Sequence, residues 1–171
     1  MFSKADIEKY FAGEKKGGGL FLLLGILAVL AAITLFFLVK GGFYEGASIP
    51  FLVIGILMTV TGYVVYRRSD GDRIRNVYAY DMNPAELRQK ELPRMKKVMQ
   101  NFIILRYTEI FLFLAGAALY IYFIRDLRND FWRGLGMGLT VTTLTALIAD
   151  HFAETRAREY TRGLEAFVSK S

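Results

Sequence analysis

Four long apolar runs are the strongest constraint that this sequence places on its fold. Residues 19–39 contain no charged side chain over 21 positions. As a helix they would cover about 31 Å, enough to cross the ~30 Å hydrocarbon core of a bilayer. Residues 47–66 and 102–124 are of similar length, and residues 131–152 include 16 consecutive uncharged positions, about 24 Å. These runs predict an all-α integral membrane protein, a four-transmembrane-helix bundle of two hairpins.

Charge is plentiful in the chain but segregated from the apolar runs. The hydrophobic share is 54%, above the roughly 45–50% of ordinary soluble domains, yet 22% of the residues are charged. The charged residues fall mainly in blocks between the runs. There are no cysteines, which excludes disulfides, thiolate metal ligands and cysteine nucleophiles.

The polar blocks predict helices three and four that extend into the cytoplasm. Residues 83–86 (NPAE) combine Asn as N-cap, Pro at the first helical position and Glu at the third. From there a helix can run into the third span, with Pro93 either kinking or dividing it. Asp70-Gly71 predicts a turn. We expect five segments: 1–18, cytoplasmic and amphipathic; 19–66, the first transmembrane hairpin; 67–101, basic and cytoplasmic, helical from about residue 84; 102–152, the second transmembrane hairpin; and 153–171, a cytoplasmic C-terminal helix.

The N-terminal segment has the pattern of a short amphipathic helix. Ser3 and Asp6 have the spacing of an approximate capping box. An interfacial helix lying on the bilayer is one interpretation, and a frayed tail is the other. The triplet Gly17 to Gly19 predicts a hinge, and the linking loop between the first two runs is expected at residues 40–46. The apolar stripe of the segment consists of Phe2, Ile7, Tyr10 and Phe11.

The distribution of Lys and Arg predicts the orientation in the membrane. Four, nine and four of these residues lie in segments 1–18, 67–101 and 153–171, against one and three in the two short loops. The positive-inside rule then puts both termini and the central segment in the cytoplasm, in the plasma (inner) membrane. The net charge of +6 fits an anionic cytoplasmic leaflet, and no nucleic-acid-binding module is recognisable.

Small residues along the apolar runs predict close helix packing. Glycine and alanine let helix backbones approach in lipid, where burial of apolar surface no longer drives association. GLGMGL at 134–139 lies inside an apolar run and is therefore interpreted as a packing surface rather than a phosphate-binding loop. The predicted packing residues are Ala28, Ala32, Gly55, Gly62, Gly116, Gly134, Gly136 and Gly138.

Five ionisable residues lie at one end of the third and fourth runs. Arg106 and Glu109 are three residues apart, which places them on one helix face, while Asp150, His151 and Glu154 close the fourth run. Ionisable groups this close to hydrocarbon are costly and are often functional. Because a short loop joins the two spans, we expect them to be antiparallel neighbours with these groups at one depth.

Three interpretations of this cluster remain open. In the first, Arg106 pairs with Glu109 or Asp150 and ties the helices together, while His151 and Glu154 are solvated. In the second, Arg106, Glu109 and Asp150 form a proton or ion site with Glu109 as carrier. In the third, Glu109, Asp150, His151 and Glu154 hold a metal ion, although the chain has a single histidine.

These features favour a non-enzymatic protein: a scaffold, accessory subunit or regulator of a membrane complex. The alternative is an oligomeric proton- or ion-coupled transporter or channel that uses Glu109, and a metal-dependent membrane enzyme is third. We expect no catalytic residues and no cofactor beyond that metal ion. The expected partners are the lipid bilayer and either a second copy of the chain or another membrane protein.

Overall fold

The computed structural model describes residues 2–169, apart from the side chain of Leu127. The described part of the chain is helical with no strand, and four of its helices are long and apolar enough to cross a membrane. This confirms the prediction of an all-α chain with four such helices. Met1, Lys170 and Ser171, which belong to the predicted terminal segments, lie outside the described residues. The elements are α1 (Lys4–Thr34) with a π-helical turn (Leu35–Val39); α2 (Gly42–Met82); α3 (Pro84–Glu86) and a π-helical turn (Leu87–Glu91) leading into α4 (Leu92–Phe123); and a 3₁₀ turn (Leu127–Asn129) before α5 (Asp130–Val168).

Helix α1 is capped as predicted but does not bend at its glycines. The backbone N–H and the hydroxyl of Ser3 both donate to Asp6 Oδ2, at 2.8 Å each. The predicted hinge at Gly17 to Gly19 is wrong, because α1 runs unbroken through the triplet. Gly18 lies against α2 instead, where a Cβ would stand 2.8 Å from the backbone N of Tyr66. Glycine at this position permits close helix approach.

Helix α2 begins earlier than the sequence predicted. The link from α1 is reduced to Lys40 and Gly41, whose φ angles of 57° and 113° reverse the chain, and the helix starts at Gly42. The residues up to Gly46 were expected to form a loop and are mostly helical. Pro50 consequently lies inside the helix.

The same helix continues through the turn predicted at Asp70-Gly71, so that prediction is wrong. Ser69 donates its hydroxyl hydrogen bond to the carbonyl oxygen of Val65 at 2.6 Å, within the helix. Lys15 of α1 forms a 2.5 Å ion pair with Asp70. Packing of α1 along this part of α2 outweighs the weak local preference of Asp-Gly for a turn.

Pro93 does not divide the third long helix, which is continuous from Pro84 to Phe123. A proline lacks the N–H that would bond the carbonyl four residues earlier, here that of Gln89. The π-helical turn Leu87–Glu91, which ends two residues before Pro93, contains this carbonyl. The wider π-helical turn accommodates the missing hydrogen bond of Pro93, so the helix continues without a break.

The long helices pack side by side in the order α1, α2, α5, α4, and the α1 and α4 backbones make few close approaches. Helices α1 and α2 are antiparallel, since Gly62 meets the backbone of Leu22 while Gly55 meets Ala28. Ala32, one turn beyond Ala28, is 2% exposed. These predicted packing residues therefore lie at helix contacts.

Alternate glycines let α5 approach two helices at once. A Cβ on Gly138 would stand 2.6 Å from the carbonyl oxygen of Ala47 in α2, and Gly134 lies against α2 in the same way. A Cβ on Gly136 would stand 2.5 Å from the backbone N of Tyr120 in α4. Successive glycines two positions apart point to nearly opposite sides of a helix, which places α5 between α2 and α4.

The charged parts of the long helices form a second packed region beyond the apolar one. We call it the polar bundle (residues 2–18, 67–101 and 153–169), and we call the rest the apolar half (residues 19–66 and 102–152).

The N-terminal apolar stripe is buried in the core of the polar bundle. Ile7 and Phe11 are 0% and 1% exposed and belong to one cluster with Leu87, Met95 and Leu164. The stripe is thus covered by protein from the other helices. Its interpretation as a bilayer-facing helix or a frayed tail is therefore wrong. The local sequence pattern does not show that three other helices continue beyond the apolar half and pack against it.

Candidate functional site

Helices α4 and α5 bring ionisable side chains together where the apolar half meets the polar bundle. The two helices are antiparallel, with Gly116 of α4 against Thr140 of α5. Continued toward the polar bundle, this register places Glu109 beside Asp150 and Arg106 beside Glu154. The predicted cluster therefore separates into two pairs.

Arg106 forms its ion pair with Glu154 rather than with Glu109 or Asp150. Arg106 Nη2 bonds Glu154 Oε2, and Arg158 from the next turn of α5 bonds Oε1 of the same carboxylate. The first interpretation left Glu154 solvated, but it is 4% exposed. A buried carboxylate held by two guanidinium groups is well satisfied and joins two helices, which is a structural role.

Glu109 and Asp150 form the less satisfied pair. Glu109 is 6% exposed, and its carboxyl group lies beside that of Asp150. Within the described residues, Oε2 of Glu109 is buried without a hydrogen-bond partner. The neighbouring Arg106 is engaged elsewhere. Two carboxylates that face each other in apolar surroundings repel, so the arrangement favours a bound proton or a small cation between them.

His151 does not join this pair. Its side chain is exposed and its ring lies beside that of Phe152, 5.9 Å between centroids. Across residues 2–169, no group of three or more His, Asp or Glu side chains is arranged to hold a metal ion. The metal hypothesis for Glu109, Asp150, His151 and Glu154 thus gains no support from the geometry.

The polar bundle contains a buried polar network that the sequence did not reveal. Arg94 donates two hydrogen bonds to Glu91, at 2.8 and 2.7 Å, and Glu91 is 2% exposed. The Tyr160 hydroxyl donates to the same carboxylate at 3.3 Å. The i, i+3 spacing of Glu91 and Arg94 is visible in the sequence, but an exposed pair has the same spacing. Burial of this pair depends on α1 and α5 covering it.

Two stacked tyrosines connect this network to α1. The rings of Tyr10 and Tyr160 are 4.1 Å apart and nearly parallel. Burial raises the pKa of Tyr160, and the charge of Glu91 raises it further. Burial likewise raises the pKa of Tyr10, with a contribution from Glu14. Both phenols therefore stay protonated and act as hydrogen-bond donors, which suits a structural role.

The outer surface of the polar bundle carries one row of exposed apolar side chains. Ile74, Tyr78 and Met82 are 65%, 63% and 69% exposed. They are four residues apart on α2 and so lie on one face. In the described part of the polar bundle, all the exposed large apolar side chains belong to this apolar row. Contiguous exposed apolar surface with a polar surround is typical of an interaction site.

No protein-family model, curated protein sequence or solved structure matches this chain. What the site can do must therefore follow from its own geometry. The helix junction can tie α4 to α5 through Arg106 and Glu154, and it can bind a proton or cation at Glu109 and Asp150. The apolar row can bind a complementary apolar surface.

Proposed function

We propose that the chain is a four-span protein of the plasma (inner) membrane whose spans form two hairpins. The polar bundle and both termini lie in the cytoplasm. The positive-inside bias of the sequence supports this orientation. Segregation of the charged helix parts to one end of the molecule, with the short links at the other, supports it as well.

Single cysteines test this topology directly, because the chain has none of its own. In intact cells or right-side-out vesicles, Tyr44→Cys and Asn129→Cys should react with a membrane-impermeant maleimide. Arg75→Cys should react only after permeabilisation. The reverse labelling pattern would overturn the proposed orientation.

The proposed function is that of a non-enzymatic scaffold, accessory subunit or regulator of a membrane complex. In this role the polar bundle docks a partner membrane protein through the apolar row. The observation that carries the proposal is the exposure of Ile74, Tyr78 and Met82 on an otherwise polar surface. An amphipathic helix of the partner, with apolar side chains at matching i and i+4 positions, would fit a row of this kind.

Lipid cannot cover the apolar row in the proposed orientation. The second apolar run ends at Arg67 and Arg68. Along a straight helix, Ile74 then lies about 10 Å beyond Arg67 and Met82 about 22 Å beyond it. The row is therefore in water unless another protein covers it, and three large apolar side chains in water favour association.

A triple variant, Ile74→Ser, Tyr78→Ser and Met82→Ser, tests the docking role. The matched control is Gln89→Ser, Lys97→Ser and Gln100→Ser, three exposed positions on the α3 and α4 side. After mild detergent extraction, wild type and control should migrate in one larger complex on native gels, and the triple variant should migrate alone. Equal migration of all three proteins would contradict the proposal. A complex containing only this chain would assign the row to self-association.

The alternative function is an oligomeric proton- or ion-coupled transporter or channel that uses Glu109. The observation that favours it is the buried Oε2 of Glu109, which has no hydrogen-bond partner in the described residues and lies beside Asp150. An intramembrane carboxylate without a countercharge is a candidate carrier of a proton or cation.

Flux into liposomes separates the two functions. If the chain is a transporter, purified wild type should dissipate an imposed proton or sodium gradient, and Glu109→Gln should not. Glu165→Gln, an exposed carboxylate on α5, is the control and should retain the flux. Wild-type liposomes that hold the gradient as well as empty ones would exclude the transporter.

A further inference from the structure

A cavity of about 170 Å³ lies between the helices where the apolar half meets the polar bundle. All four long helices contribute to its lining. On α1 the lining extends from Tyr10 to Phe21, and on α4 it extends from Val98 to Leu105. In the proposed orientation, this is the depth at which lipid headgroups give way to acyl chains, and the inference below rests on that orientation.

One wall of the cavity is apolar and faces the least closed side of the bundle. Phe21 and Val65 line it from α1 and α2, and Phe102 and Leu105 line it from α4. The α1 and α4 backbones make few close approaches. A lipid chain can therefore reach this wall from the bilayer between these two helices.

The polar end of the cavity contains an arginine that makes no ion pair. In residues 2–169, Arg156 of α5 has no hydrogen bond or ion pair, and it is half-buried. Of the other charged groups at the cavity, Arg68 pairs with Glu14 at 3.3 Å, and Asp150 lies beside the carboxyl group of Glu109 on α4. The cavity therefore presents one free guanidinium to a ligand.

Two glycines of α1 make room for this guanidinium. A Cβ on Gly13 would stand 3.1 Å from Cδ of Arg156, and one on Gly17 would stand 2.5 Å from its Nη2. The Gly13–Gly17 spacing of four puts both on one face of α1, so that the arginine side chain lies along the helix. These two glycine contacts, which we call the glycine seat, position the guanidinium at the edge of the cavity.

We propose that this cavity binds an anionic phospholipid, with the phosphate on Arg156 and an acyl chain along the wall formed by Phe21, Phe102 and Leu105. A guanidinium binds phosphate through two parallel hydrogen bonds, which an ammonium cannot match. Anionic lipid is enriched in the cytoplasmic leaflet, on the side where the proposed orientation puts the cavity. The apolar wall selects a lipid over a free phosphate.

Native mass spectrometry of the full chain in detergent tests the proposal with dioleoyl phosphatidylglycerol as the probe. We expect one phosphatidylglycerol per chain, retained at least fivefold more than dioleoyl phosphatidylcholine. Loss of a charge-assisted hydrogen bond costs about tenfold or more in affinity, so Arg156→Gln should weaken binding by that factor. Arg162→Gln, which removes an exposed arginine from the same helix, should stay within about twofold of wild type. Equal lipid retention by wild type and Arg156→Gln would overturn the site.

A second pair of variants keeps Arg156 and alters only the glycine seat. Gly17→Ala should displace the guanidinium and weaken phosphatidylglycerol binding, whereas Gly71→Ala has open space around its Cβ and should leave binding unchanged. Equal binding by both variants would contradict the proposed glycine seat. Melting temperatures of all variants verify that the fold is retained.

Inorganic phosphate in a competition experiment separates the two sources of a phosphate group. The proposal predicts that millimolar phosphate does not displace phosphatidylglycerol. Displacement would show a site for a small phosphate and would overturn the lipid assignment. Lipid binding could fail while the cysteine labelling agrees with the proposed orientation and the complex still depends on the apolar row. That result would overturn the lipid site and leave the proposed function standing.

Discussion

The polar bundle and the apolar half are built from the same four helices but are held together by different means. In the polar bundle, large side chains such as Phe11 and Leu164 fill a core, as they do in water-soluble proteins. In the apolar half, contacts such as those of Gly62 and Gly136 bring backbones together. In the proposed orientation the apolar half lies in lipid. Burial of apolar side chains does not drive packing there, so small residues take the place of large ones.

The two regions also differ in the hydrogen-bond partners that they provide for a buried glutamate. Glu91 and Glu109 lie 18 positions apart on one continuous helix, five turns along the same face. Glu91 accepts hydrogen bonds from Arg94 and Tyr160. Glu109 has an unpartnered oxygen and an acidic neighbour. We expect the first arrangement to stabilise the fold more than the second, which makes Glu109 the functional candidate of the two.

The largest loss of stability is expected for Glu91→Ala. The variant leaves the partly buried guanidinium of Arg94 without its carboxylate, which should cost about 3 kcal/mol of unfolding free energy. Glu165→Ala removes an exposed carboxylate and should change stability by less than about 0.5 kcal/mol. Thermal melting in detergent compares the two, and equal melting temperatures would show that the Glu91 network is not a stabilising one.

A smaller effect is expected from a methyl group at a glycine contact. In Gly136→Ala the new Cβ would stand 2.5 Å from the backbone N of Tyr120, and a backbone cannot move aside as a side chain can. We expect a loss of about 1–3 kcal/mol. Gly71→Ala, which meets nothing within 4 Å, should instead gain up to about 1 kcal/mol through helix propensity. An unchanged or raised melting temperature in Gly136→Ala would contradict glycine-mediated packing of the apolar half.

The smallest effect, and one of opposite sign to Glu91→Ala, is expected for Glu109→Gln. The amide can donate to Asp150 and removes one of two facing carboxyl groups, so stability should stay equal or rise by about 1 kcal/mol. Glu159→Gln, an exposed position on α5, is the control and should leave the melting temperature unchanged. A marked loss of stability in Glu109→Gln would show that this carboxyl group, like Glu91, is a structural one.

Much of the fold could be predicted from local patterns. Runs of uncharged residues revealed the apolar parts of the helices, and the Ser3–Asp6 spacing predicted the first cap. The helix ends were less predictable. The glycine triplet in α1 and Asp70-Gly71 in α2 have weak helix propensity, yet both are helical because each helix packs against the other there.

The site was only partly predictable, because partners across helices depend on register. The residues at the α4–α5 junction could be found from charge in an apolar context. Whether Arg106 pairs with Asp150 or with Glu154 depends on a shift of one helical turn between the helices, and sequence spacing does not contain that shift. The apolar row at Ile74, Tyr78 and Met82 was missed, since exposure of an i, i+4 apolar pattern requires knowing which face the other helices cover.

The most direct test of the proposed docking role compares two exposed aromatic positions, Tyr78 in the polar bundle and Phe111 in the apolar half. Their side chains are 63% and 70% exposed. A photo-reactive phenylalanine analogue is placed at each position in turn and irradiated in intact membranes. We predict one defined protein adduct from position 78 and lipid adducts from position 111. Lipid adducts alone from position 78 would contradict the proposed docking role, because they would place the apolar row in the bilayer and remove the need for a protein partner.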